Sequence, residues 1–122
     1  MRRTRFLALL PALLALFGAT RTAKADTTTL SVAVGCWNNG GGTYGCDAYV
    51  TGGTGTYVSY AWQVTDALIG KPTYTYNSTT ADQYKTGTCR VGASLTINVT
   101  VTDSMGETGT NTYSMRCRSA AD

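Results

Sequence analysis

Cys36, Cys46, Cys89 and Cys117 are the residues of this chain whose chemistry is most sharply limited by spacing. The usual redox pair has two cysteines separated by two residues, and structural zinc sites are usually built from closely spaced cysteines, often with histidine. No two of the four are so spaced, and the chain has no histidine. In an exported chain they read as two disulfides. The missing histidine also removes the commonest general base and every Ser-His-Asp or Cys-His arrangement.

Carboxylates are the other reactive class. Glycoside hydrolysis requires two that face each other across a bond. Asp47, Asp66, Asp82, Asp103, Glu107 and the near-terminal Asp26 and Asp122 lie mostly in turn-like or terminal contexts, and nothing in the sequence pairs two of them. They read as solvated turn carboxylates. Asp103 and Glu107 flank one turn but bring too few oxygens for calcium, so Asp103 reads as a turn former. Gly40–Gly42 and Gly52–Gly55 lack the Lys-Ser/Thr and the helix start of a phosphate cradle, and read as turn glycines. No enzyme, metal or cofactor is expected.

The aromatic residues offer binding chemistry instead. Eight tyrosines against two phenylalanines is an odd ratio for a dry core, because each hydroxyl needs a partner. Trp37, Asn38, Asn39 and Tyr44 lie on a glycine-rich reversal between Cys36 and Cys46, where exposure is expected. Tyr74 and Tyr76 share a face of an expected edge strand. These six are the candidate contact residues, since exposed aromatics anchor protein partners or stack on sugar rings. The competing reading has the tyrosines cap the sandwich and shield a small core. Asn77-Ser78-Thr79 and Asn98-Val99-Thr100 match a glycosylation acceptor, which matters only in a host that glycosylates there.

The N-terminus places these residues in a compartment. Arg2, Arg3 and Arg5 precede an apolar run, Phe6 to Phe17, and Ala23-Lys24-Ala25 is a small-x-small cleavage pattern. Residues 1–25 read as a cleaved secretory signal, the apolar run being too short and too proline-interrupted to span a bilayer. Export to the periplasm or beyond follows, with no transmembrane anchor in the mature chain. Five of the ten basic residues fall in the signal (Arg2, Arg3, Arg5, Arg21, Lys24), so the remaining five against seven acids leave −2 rather than +3. Lys71, Lys85, Arg90, Arg116 and Arg118 are scattered, which argues against nucleic acid as a partner.

Residues 26–122 suit one domain, and their Thr, Gly, Tyr, Val and Ser point to an all-β fold. Thr27 to Val34 alternates as an edge strand, and Cys46 to Thr51 follows the reversal as a second strand. Gly52 to Gly55 bends into a strand with Val58, Tyr60, Trp62 and Val64 expected on one face, Trp62 being the centre of the core. Thr65 to Lys71 reads as a turn, Pro72 to Thr80 as a short strand, and Ala81 to Arg90 as a short strand with loops. Leu95, Ile97, Val99 and Val101 alternate with polar residues, and after the Asp103–Gly106 turn Glu107 to Cys117 returns as the last strand. About seven short strands with closely spaced turn signals indicate a two-sheet sandwich. Of the three pairings open to four cysteines, Cys36–Cys46 with Cys89–Cys117 is preferred. The first pair flanks a reversal. In the last hairpin Leu95 falls opposite Met115, which brings Cys117 to the pole where Cys89 lies.

Gly52, Gly53, Gly55, Tyr57 and Trp62, followed by Val99, Val101, Asp103 and Gly106, resemble the PKD-like and related bacterial immunoglobulin-like modules. This chain carries one extra residue between Tyr57 and Trp62. The resemblance implies a seven-stranded immunoglobulin-like sandwich serving as a spacer, adhesion or binding module, with no catalytic residue. The expected function is therefore non-enzymatic binding of a protein or glycan at the cell envelope or outside the cell. Alternatives are a carbohydrate-binding module using exposed Tyr and Trp, a subunit assembling through the Thr27–Val34 edge, and a secreted protease inhibitor.

Overall fold

Alternating apolar and polar residues build seven strands: β1 (Thr28–Gly40), β2 (Thr43–Gly53), β3 (Tyr57–Ala67), β4 (Tyr74–Thr80), β5 (Tyr84–Thr88), β6 (Ser94–Asp103) and β7 (Thr108–Arg116). They come from a computed structural model that describes residues 28–122. The expected export signal, 1–25, lies outside the described residues. One antiparallel sheet has the order β1-β2-β5 and the other β4-β3-β6-β7, an immunoglobulin-like sandwich in which the fourth strand pairs with the third. Among the described residues no helix is long and apolar enough to cross a membrane.

The core forms where β3 and β6 pair at the centre of the larger sheet. Leu95, Ile97, Val99 and Val101 turn inward beside Tyr60, Trp62 and Val64, and meet Leu30, Val32 and Ala48 of the smaller sheet. Trp62 is 1% exposed and is the largest fully buried side chain. Its indole N–H has no hydrogen-bond partner among the described residues, so bulk rather than bonding sets its role.

Val58 does not join that face. The register slips between Tyr57 and Ser59 against Asp103 and Thr102, a β-bulge that leaves Val58 half exposed. Tyr57 packs against the core instead, and its hydroxyl donates to the Gly52 carbonyl at 2.9 Å.

Two strands are longer than their patterns suggest. β1 continues through Cys36 and Asn38 to Gly40, so the expected reversal contracts to Gly41-Gly42, whose φ angles of 65° and 75° are positive, as a tight type I′ hairpin turn demands. β3 runs on to Ala67, past the expected turn at Thr65. The disulfides pair as expected. Cys36–Cys46 joins directly opposed residues of β1 and β2, and Cys89–Cys117 ties the chain just past β5 to the chain just past β7. The second bridge thus links the two sheets, a task that antibody domains give to their second and sixth strands. Chain entropy assigns the two closures about 2.8 and about 3.6 kcal/mol.

Trp62→Ala should lower the unfolding free energy by about 3–5 kcal/mol in urea denaturation. Val58→Ala, at the exposed bulge, should change it by no more than about 0.5 kcal/mol.

Candidate binding face

Strand alternation dictates which residues of the smaller sheet point away from the core. With Val34, Cys36 and Asn38 turned inward, Ala33, Gly35 and Trp37 of β1 point out. Their partners on β2 are Tyr49, Asp47 and Gly45, and β5 adds Tyr84 beside Asp47 and Thr86 beside Gly45. Trp37 lies flat over Gly45, because a Cβ there would stand 2.8–2.9 Å from three indole atoms, Cε2, Cζ2 and Nε1. Only glycine admits that contact. The indole Nε1 donates to Asn39 Oδ1 at 2.9 Å, which holds the ring, and Trp37 as a whole remains 39% exposed.

Tyr49 and Tyr84 stand on the same face, 67% and 58% exposed. Between Trp37 and Tyr49 the floor is bare backbone: a Cβ built on Gly35 meets nothing within 4 Å. Asp47 lies across from Gly35, and its Oδ1 accepts a 2.9 Å hydrogen bond from Gln83 Nε2. Ala33, Gly35, Trp37, Asp47 and Tyr49 line an open trough of about 400 Å³ that reaches the β1 edge at Tyr113.

The expected contact residues divide. Trp37 and Asn39 are exposed, whereas Asn38 and Tyr44 are buried at 2% and 3%. The expectation that all four lie on an exposed loop is corrected, because strand geometry persists to Gly40 and turns alternate residues inward. Asn38 is a clasp for the last residues described. Its Nδ2 donates to the Arg116 carbonyl at 3.0 Å, its Oδ1 accepts from Arg118 N–H at 2.8 Å, and its own N–H reaches Asp122. The Tyr44 ring lies against Gly87, and burial, with the charge of Asp66, pushes its phenol up.

Tyr74 and Tyr76 do share an exposed face of the edge strand β4. Their rings tilt by 54° at 6.3 Å, so they form no flat row. Arg90 covers the Tyr74 ring at 4.5 Å while bonding Asp66 and the Pro72 carbonyl. Sequence reasoning did not single out Tyr49 and Tyr84, which stand exposed on the same face as Trp37. Tyr49 was within reach, since it alternates with Ala48 and Val50; Tyr84 sits in the least patterned segment.

Two carboxylates expected to be solvated are buried instead, Asp66 and Asp103. Asp66, at the end of β3, accepts from the backbone N–H and Nε of Arg90, both at 3.0 Å. Asp103 closes the opposite end of β6. Its Oδ1 accepts the N–H groups of Met105 and Glu107 at 2.9 Å, and its Oδ2 that of Thr54 at 3.1 Å. Burial alone would raise this carboxyl, but those backbone N–H groups together outweigh it and hold its pKa below the ordinary aspartate value. As the turn former expected from the sequence, Asp103 has its oxygens occupied. Among the described residues no three Asp, Glu or Cys side chains gather as a metal group.

A lowered folded-state pKa means that Asp103 contributes stability above its unfolded pKa of about 3.9, and loses it as pH falls through the lower folded value. Urea denaturation between pH 5 and pH 2 should therefore show a steeper acid decline for the native chain than for Asp103→Asn. Parallel curves would contradict the assignment.

Compared with known protein families, curated proteins and solved structures, the chain matches none.

Proposed function

We propose that this chain is an exported, non-enzymatic binding module whose contact surface is the outward face of the β1-β2-β5 sheet. One observation carries the reading: Trp37 lies flat on Gly45 with its outer side bare, flanked by the exposed Tyr49 and Tyr84. Exposed aromatics in such a group are the usual anchors of recognition. The Cys36–Cys46 bridge, on the inward side of the same two strands, stiffens the platform before any partner arrives and so reduces the ordering cost of binding.

Other features fit the same reading. Both disulfides suit an oxidising compartment, and the basic, apolar and Ala-Lys-Ala succession in residues 1–25 supports passage through a secretory route to the periplasm or beyond. The likeness of the Gly52–Trp62 and Val99–Gly106 segments to PKD-like modules supports an adhesion or interaction role over catalysis. The buried carboxylates are engaged in capping and ion pairing, which leaves the outward face for contact.

The rival uses gain less support. On the β1 edge the Val32 carbonyl already accepts from Asn111 Nδ2 of β7 at 2.8 Å, so a strand added there would compete with that bond. An inhibitory loop needs length, and the reversal is only Gly41-Gly42, with Gly41 N–H tied to the Ser119 carbonyl.

Trp37→Ala should keep the melting temperature within a few degrees and lose most retention on a native cell-envelope preparation. Undiminished retention with Trp37→Ala would refute this face as the contact surface.

A further inference from the structure

Resting on that reading of the face, we infer that its ligand is an uncharged polysaccharide, with one pyranose ring stacked on Trp37 and the next seated over Gly35. The indole is pinned beneath by Gly45 and at its edge by Asn39, so it offers one flat apolar surface outward. A pyranose ring presents a matching face of C–H groups. Beside the indole the bare backbone of Gly35 leaves room that any side chain would fill.

Hydrogen bonding across the trough fits hydroxyl groups. Asp47 Oδ1 is oriented by Gln83, and its second oxygen has no bonded partner among the described residues. An ionised carboxylate is acceptor-only, and sugar hydroxyls are donors of the complementary kind. Tyr49, two residues along β2, and Tyr84, the partner of Asp47 on β5, bring further exposed rings with hydroxyls beside this carboxylate.

Charge narrows the class. Lys85, on β5, turns the other way and donates to Ser78 Oγ at 3.3 Å, so the outward positions of β1, β2 and β5 carry a carboxylate and no cation. An acidic glycan, a phosphate polymer or an anionic lipid surface would meet repulsion here.

Affinity electrophoresis of the disulfide-bonded protein, in gels holding soluble mannan, xylan or mixed-linkage β-glucan, tests this, with alginate as the acidic control. The native protein should be retarded in at least one neutral gel and not in alginate. Trp37→Ala should weaken that retardation about tenfold or more, the loss of one stacked ring. Gly35→Val fills the floor at a strand position with open space above it, so it should keep the melting temperature and abolish retardation. Tyr74→Ala should leave retardation unchanged. No retardation in any neutral gel, equal retardation in alginate, or full retardation by the Trp37 or Gly35 variant would overturn the inference. Trp37-dependent retention on envelope that is lost after protease treatment, with no glycan retardation, would also overturn it while leaving the contact face standing.

Discussion

Covering the Trp62 indole is the constraint on which the rest of the sandwich depends. A chain of this size buries a limited share of its surface, and Trp62 is the largest of the side chains it buries fully. β3 and β6 pair in continuous register past the indole, and the smaller sheet closes over it with Leu30, Val32 and Ala48. Once those inward positions are committed, alternation assigns every neighbouring residue to the outside. The outward aromatic face is thus the reverse side of the solution to the packing problem.

The ends of the sandwich are held by polar groups rather than by more core. Asp103 collects three backbone N–H groups at one end of β6, and Asp66 grips Arg90 at the other. Nearby, the Cys89–Cys117 bridge links the sheets where the paired strands stop. Buried charge is costly unless fully bonded, and both carboxylates meet that condition within the backbone and its neighbours. Asn38 does the same for the segment after β7, using both ends of its amide.

Glycine has a second role in this chain besides making turns. Gly45 lies under Trp37 and Gly87 under Tyr44, on opposite sides of the smaller sheet, each allowing a ring to lie close on the backbone. Gly35 leaves open space where a side chain would otherwise stand. An outward indole held in place by a missing Cβ and one hydrogen bond has little freedom to lose on binding.

The all-β class, the faultless alternation of β6, Trp62 as the core centre and both disulfides were legible in the sequence, because period-2 burial and hairpin register are local. Tyr74 and Tyr76 were also placed on one exposed face, though their tilt and the Arg90 cover depend on loops that meet only in space. The bulge at Val58, the burial of Asn38 and Tyr44, and the engagement of Asp66 and Asp103 were not legible. Each depends on where a strand stops or slips against a partner distant in the chain. Sequence alone determined that an aromatic, disulfide-stapled sandwich forms. Only tertiary structure decided that Trp37, Tyr49 and Tyr84, from three different strands, share one outward face around Asp47, because cross-strand register sets neighbours that chain spacing does not.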